Sequence, residues 1–132
     1  MPLLAKTLAA LPGDVAPYFQ RLADEEPTPI VELRRELRRY SGQLRDAAQA
    51  DPQIDAELGL ELADACRGLL DRLPAEPTPE VLRVIQAAIR YFLLDDDADP
   101  DMGSTLGLDD DVEVVNVVLG LLGMNDLKVA FD

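Results

Sequence analysis

Residues 88–119 read AIRYFLLDDDADPDMGSTLGLDDDVEVVNVVL. An apolar segment runs into a cluster of aspartates. A glycine-containing turn comes next, and a second aspartate triplet opens another apolar segment. Asp95–Asp97 stand where a helix would end. Negative charge at a helix C-terminus opposes the backbone dipole, so the first helix is expected to stop near Leu94. Pro100 and Gly103 break the periodicity, and Gly107 supplies a turn before the second triplet. Asp109 or Asp110 then caps a second helix, whose first-turn acids favour the positive end of the dipole. Its valines suit a strand by propensity. Its length, cap and helical neighbours favour a helix, so this stretch predicts a C-terminal helix-loop-helix hairpin.

Outward from the hairpin, the chain repeats one punctuation. Residues 3–11 form a short amphipathic segment closed by Pro12-Gly13. Asp14 is positioned to cap a second short helix, with Pro17 in its first turn. Thr28-Pro29, Asp51-Pro52 and Thr78-Pro79 each place a polar cap before a proline, a helix-start signal. After Thr28, apolar residues fall at Ile30, Leu33, Leu37, Tyr40, Leu44 and Ala47, in the three-four alternation of one helix face. After Asp51 the stripe is Ile54, Leu58, Leu62, Ala65, Leu69 and Leu73, ending before Pro74. After Thr78, Val81, Leu82, Ile85, Ala88, Ile89, Phe92 and Leu93 make a face wide enough for the centre of a core. The segments EPTPIV and EPTPEV are two uses of one capping solution, since the residues after them differ. Together these patterns predict one all-α domain over residues 1–132, a compact bundle of five or six helices.

Composition narrows the chemistry. A hydrophobic fraction of 48% over 132 residues provides for a real core and argues against disorder. The net charge is −14, and residues 91–132 supply −10 of it, eleven acids against Lys128. Such a surface repels nucleic acid and anionic lipid and favours cations or basic proteins. No histidine is present, which removes His-based triads and most catalytic zinc sites. The one cysteine, Cys66, sits in an apolar helical pattern and reads as a small buried side chain. No run approaches the roughly 20 apolar residues of a membrane span, and the expected location is the cytoplasm.

Two features carry candidate sites. Asp95, Asp97, Asp99 and Asp101 alternate like early calcium-loop ligands. However, Pro100 replaces the turn glycine and Leu106 the bidentate glutamate, so an EF-hand fails. A looser Mg²⁺ or Ca²⁺ site would use Asp97, Asp101, Asp110 and Asp111. The structural alternative has Asp110 and Asp111 capping a helix while Asp97 and Asp101 pair with Arg90. The other feature is a row of Arg34, Arg35, Arg38, Arg39 and Arg45, five of the twelve bases, on the face opposite the apolar stripe. It reads as a solvated face supported by Glu32–Arg35 and Glu36–Arg39 pairs, as an anion or nucleic-acid patch, or as a surface that pairs with the acidic C-terminal part, within the chain or across a dimer.

The order Tyr91, Asp97, Pro100, Asp101, Gly107, Asp110, Asp111 resembles the YkvA-like family, a bacterial domain family of unknown function. There a Tyr-containing helix leads to an Asp-x-x-Pro-Asp step, then a Gly and an Asp-Asp pair that starts a second hydrophobic helix. The resemblance covers about residues 81–120. It departs where Ala98 and Asp99 replace aliphatic residues and Ser104 a second proline. It implies an all-helical fold and a structural role for Tyr91, Pro100 and Gly107; it implies no established activity and so does not supply the function. The expected function is a non-catalytic protein-interaction module that binds a protein partner or itself. The alternative is a divalent-cation-binding protein, hydrolytic or not, using residues 95–111.

Overall fold

A computed structural model describes residues 2–53, 56–98 and 109–130, and the side chains of all of these except 94–98 and 109. The described chain holds six α-helices: α1 Leu3–Ala10, α2 Ala16–Asp24, α3 Ile30–Ala50, α4 Glu57–Asp71, α5 Pro79–Ala98 and α6 Asp109–Leu121. A 3₁₀ turn over Asn125–Leu127 comes after them. The all-α bundle expected from the periodicity is the observed fold.

The widest apolar face belongs to α5, and α5 is the hub. It packs against α1, α2, α3 and α6. Val84, Ile85, Ala87, Ala88, Ile89 and Phe92 are buried on it. Each large side chain so removed from water contributes about 1.5–3 kcal/mol. Tyr91 meets Tyr18 of α2 edge-on at 5.5 Å, and Phe92 meets Tyr40 of α3 edge-on at 4.8 Å. The stripe of α3 is buried as the spacing required, at Leu33, Leu37, Tyr40 and Leu44. Helix α4 closes against α3 at Gly59. A Cβ there would stand 2.6 Å from Tyr40 Oη and 2.7 Å from Leu44 Cδ2, so a larger residue would have to displace one of these side chains.

Three polar residues of α5, spaced three and four apart, tie down the connection from α2 to α3. The Arg83 Nε donates to the Ala23 carbonyl at 2.9 Å, and its guanidinium also meets Asp24. Gln86 is buried; its amide nitrogen donates to the carbonyls of Leu22 and Glu25, and its oxygen accepts from the Thr28 N–H. Arg90 donates twice to Thr28 Oγ1, at 3.1 and 2.7 Å. The last carbonyls of a helix have no partner within it, and α5 supplies partners here.

This arrangement corrects one expectation. Thr28 does not cap α3; its hydroxyl is occupied by Arg90, and α3 begins after Pro29 with no side-chain cap. The second copy behaves as expected, since Thr78 Oγ1 accepts from the Val81 N–H at 3.2 Å. Asp51 does not open α4 either. Its carboxylate accepts from the Gln53 N–H in a local turn, and the helix starts six residues on, at Glu57. Asp14 also lies outside a capping position, because Val15 precedes α2 and no side chain caps it. Helix α5 runs one turn beyond Leu94, to Ala98, despite its three aspartates.

The valine-rich segment is a helix. Val112, Val115 and Leu119 form one buried row and Val114 and Val118 a second, both at helical spacing. Gly123, at φ 77°, ends it: the Met124 N–H reaches back to the Leu119 carbonyl at 2.8 Å, a left-handed closure that suits glycine. Beyond it, Asn116 holds Val129 through two 2.9 Å hydrogen bonds.

Candidate functional site

The aspartate-rich hairpin was one expected site. Within it, Asp110 is exposed and Asp111 fully buried. Neighbours on a helix point about 100° apart, so these two carboxylates face different surroundings. Asp111 looks toward the core. Burial pushes the Cys66 thiol up to about 12, and the negative charge of Asp111 adds to that rise. Cys66 is therefore the inert, buried thiol that the pattern implied. The side chain of Asp97, and Pro100, Asp101 and Gly107 entirely, lie outside the described residues. Among the described residues, no group of three or more Cys, Asp or Glu is placed to hold a metal ion. Arg90, the expected partner of Asp97 and Asp101, donates to Thr28 Oγ1; its expected pairing falls on side chains outside the described residues.

A shallow groove lies between α4 and the C-terminal segment, about 290 Å³ in volume and lined by Glu61, Asp64, Asp126, Leu127, Lys128 and Val129. Two of its acids are already served by arginines. Arg72 grips Asp126 through two bonds, at 2.8 and 2.6 Å, and Arg67 pairs with Asp64. Asp126 is held below the usual carboxylate range by the Arg72 hydrogen bond, and Arg72 is raised in turn. The groove is a seam that docks residues 126–130 against α4, with two of its three lining acids paired to arginines.

The arginine row on α3 is different. Arg34 bridges to Asp71 of α4 at 2.6 Å, and Arg35 pairs with Glu32 one turn back at 3.0 Å. Arg38, Arg39 and Arg45 are exposed and form no ion pair among the described residues. The expected Glu36–Arg39 pair is not formed. At 100° per residue, Arg35, Arg38, Arg39, Gly42 and Arg45 share the side of α3 opposite its buried leucines. Val31, 66% exposed, begins this row, and Asp46 closes it. Nothing among the described residues lies within 4 Å of a Cβ at Gly42, so the middle of the row is open. Residues 30–50 carry five bases and three acids, net +2, while the rest of the chain carries seven bases and twenty-three acids, net −16. A cationic strip thus stands on a strongly anionic molecule.

The row was visible in sequence as charge opposite an apolar stripe. Which arginines are engaged was not visible, because the partner of Arg34 lies 37 residues away.

No described helix is long and apolar enough to cross a membrane. No protein-family model, curated protein or solved structure matches the chain.

Proposed function

We propose that this protein is a non-catalytic protein-interaction module whose working surface is the outer side of α3. One observation carries the reading: on a chain of net charge −14, Arg38, Arg39 and Arg45 stand exposed in a row with no ion pair among the described residues. Acids outnumber bases by more than two to one, and most other arginines of the fold are engaged. A helix that keeps cations available under those conditions is suited to meeting an external anion. The YkvA-like resemblance of residues 81–120 goes with this reading. Tyr91 lies in α5, Asp110 and Asp111 lie at the head of α6, and the family implies an all-helical fold with no established activity.

The test pairs two measurements. Tagged protein and an R38E/R39E/R45E variant, each checked by circular dichroism for an unchanged fold, are used as bait, and any recovered protein is then purified and titrated calorimetrically. The wild type binds and the variant does not. Chelator-treated protein is titrated in parallel with Mg²⁺ and Ca²⁺. A micromolar cation site, together with no protein partner and no self-association by light scattering, would replace this reading with the divalent-cation one.

A further inference from the structure

Resting on that reading of α3, we infer that the strip from Val31 to Arg45 receives an acidic helical segment of a partner protein. The dimensions and the pattern both select it. The strip is about 21 Å long at 1.5 Å per residue and one helix face wide. Its cations repeat at the three- and four-residue steps on which a second helix would present a matching row of carboxylates. Gly42 leaves a notch at mid-strip that no Cβ of α3 fills, so a partner side chain can approach the backbone there. Val31, exposed at one end, supplies an apolar anchor beside the charges. Asp46 at the other end, with no ion pair among the described residues, sets the direction, because it repels an acid and accepts a basic residue at that terminus of the incoming helix.

The same charges disfavour the other anions. A nucleic acid duplex carries about one negative charge per 1.7 Å and extends beyond any strip of about 21 Å. An anionic membrane extends laterally in every direction. Both would meet the net −16 carried by the rest of the chain. A short acidic helix confines its charge to the strip and stays within reach of Arg38, Arg39 and Arg45. At physiological ionic strength the field beyond about 8 Å is largely screened, which reduces the background repulsion for a ligand of that width.

The experiment uses the full chain and a labelled synthetic peptide of about 20 residues, longer than the ~12–15 at which isolated helices are marginal and stapled to hold the helix against repulsion between its glutamates. Glutamates are spaced three and four apart on one face, a leucine stands beyond one end of the row and a lysine beyond the other. The comparators are the same composition scrambled off that face, a DNA duplex of equal length, and vesicles containing phosphatidylserine. Fluorescence anisotropy is expected to show saturable binding of the patterned helix that weakens several-fold as salt rises. The scrambled peptide binds about tenfold or more weaker. R38E/R39E/R45E loses the patterned helix, and V31S weakens it while leaving the salt dependence intact. Equal affinity for patterned and scrambled peptides, or tighter binding of DNA or vesicles, overturns the inference. Binding that survives the triple charge reversal does so as well. A purified protein partner that binds at α3 without presenting an acidic helix leaves the module reading standing while this inference fails.

Discussion

Asn116 of α6 holds Val129 by both of its backbone groups: its amide nitrogen donates to the Val129 carbonyl and its oxygen accepts the Val129 N–H, each at 2.9 Å. One side chain thus replaces a neighbouring strand and pins the C-terminal segment across α6. Asn116→Ala leaves a half-buried donor and acceptor unpaired, and a destabilisation of about 1–3 kcal/mol is expected. Hydrogen exchange should accelerate first at residues 125–130, because the 3₁₀ turn and Val129 depend on this clamp. Asn116→Asp keeps the acceptor but turns a negative charge toward the Val129 carbonyl, so it should be no better tolerated than alanine.

Gln86 performs a larger version of this task. Its buried amide serves Thr28, Leu22 and Glu25 together. Gln86→Leu matches its bulk but orphans those groups, and a loss of about 2–4 kcal/mol is expected in urea titrations. Arg90→Lys retains the charge and reaches Thr28 Oγ1 with a single point of contact, so its cost should be well below that of Gln86→Leu.

Cys66 makes stability depend on alkaline pH. Its native thiol is pushed up to about 12, chiefly by burial and then by the charge of Asp111, against an ordinary value of 9.0. Below that ordinary value the thiol is protonated in both states and contributes nothing. Between the two values the unfolded thiol has ionised while the native one keeps its proton. Stability should therefore fall there by about 1.4 kcal/mol per pH unit from this group. Urea midpoints compared at about pH 8 and about pH 10.5 should show the excess slope in the wild type and its absence in Cys66→Ala. Thiol reagents should label Cys66 in the native state only as fast as the protein opens.

The glycines of α3 and α4 give opposite expectations. Gly42 sits mid-helix with open space around it, so Gly42→Ala gains helix propensity and should stabilise by about 1 kcal/mol. Gly59→Ala brings the same propensity but drives a methyl into Tyr40 and Leu44, a repacking cost of about 1–3 kcal/mol. It should be neutral at best and destabilising if Tyr40 cannot yield. Thermal melts of the two variants side by side read the difference directly.

Most of the fold was legible from apolar spacing, because each helix buries one stripe and that stripe sets its period. Cap-and-proline pairs were less reliable, for a physical reason. A threonine hydroxyl goes to whichever donor tertiary structure brings near it, and Arg90, 62 residues away, took Thr28 while Thr78 remained a local cap. Asp51 bonded two residues on and made a turn before the helix. The extension of α5 through Asp95–Asp97 went against the dipole argument, which weighs only tenths of a kcal/mol to about one kcal/mol at exposed sites. The α3 row was legible as charge; its division into engaged and available arginines depended on Asp71, which sequence spacing does not place. Asn116 carried no signal among its valines, since its task exists only once the chain end folds back.

Leu33, Leu37, Tyr40 and Leu44 seat α3 along most of its length, and the Arg34–Asp71 bridge fastens its flank. The helix is consequently a stiff rail whose shape is settled before any encounter. On docking, the loss of conformational freedom falls almost wholly on the newcomer and on the arginine tips. Affinity at this surface should then rise with how rigid the visitor already is, so stapling an incoming helix into shape ought to tighten the complex without adding a single contact.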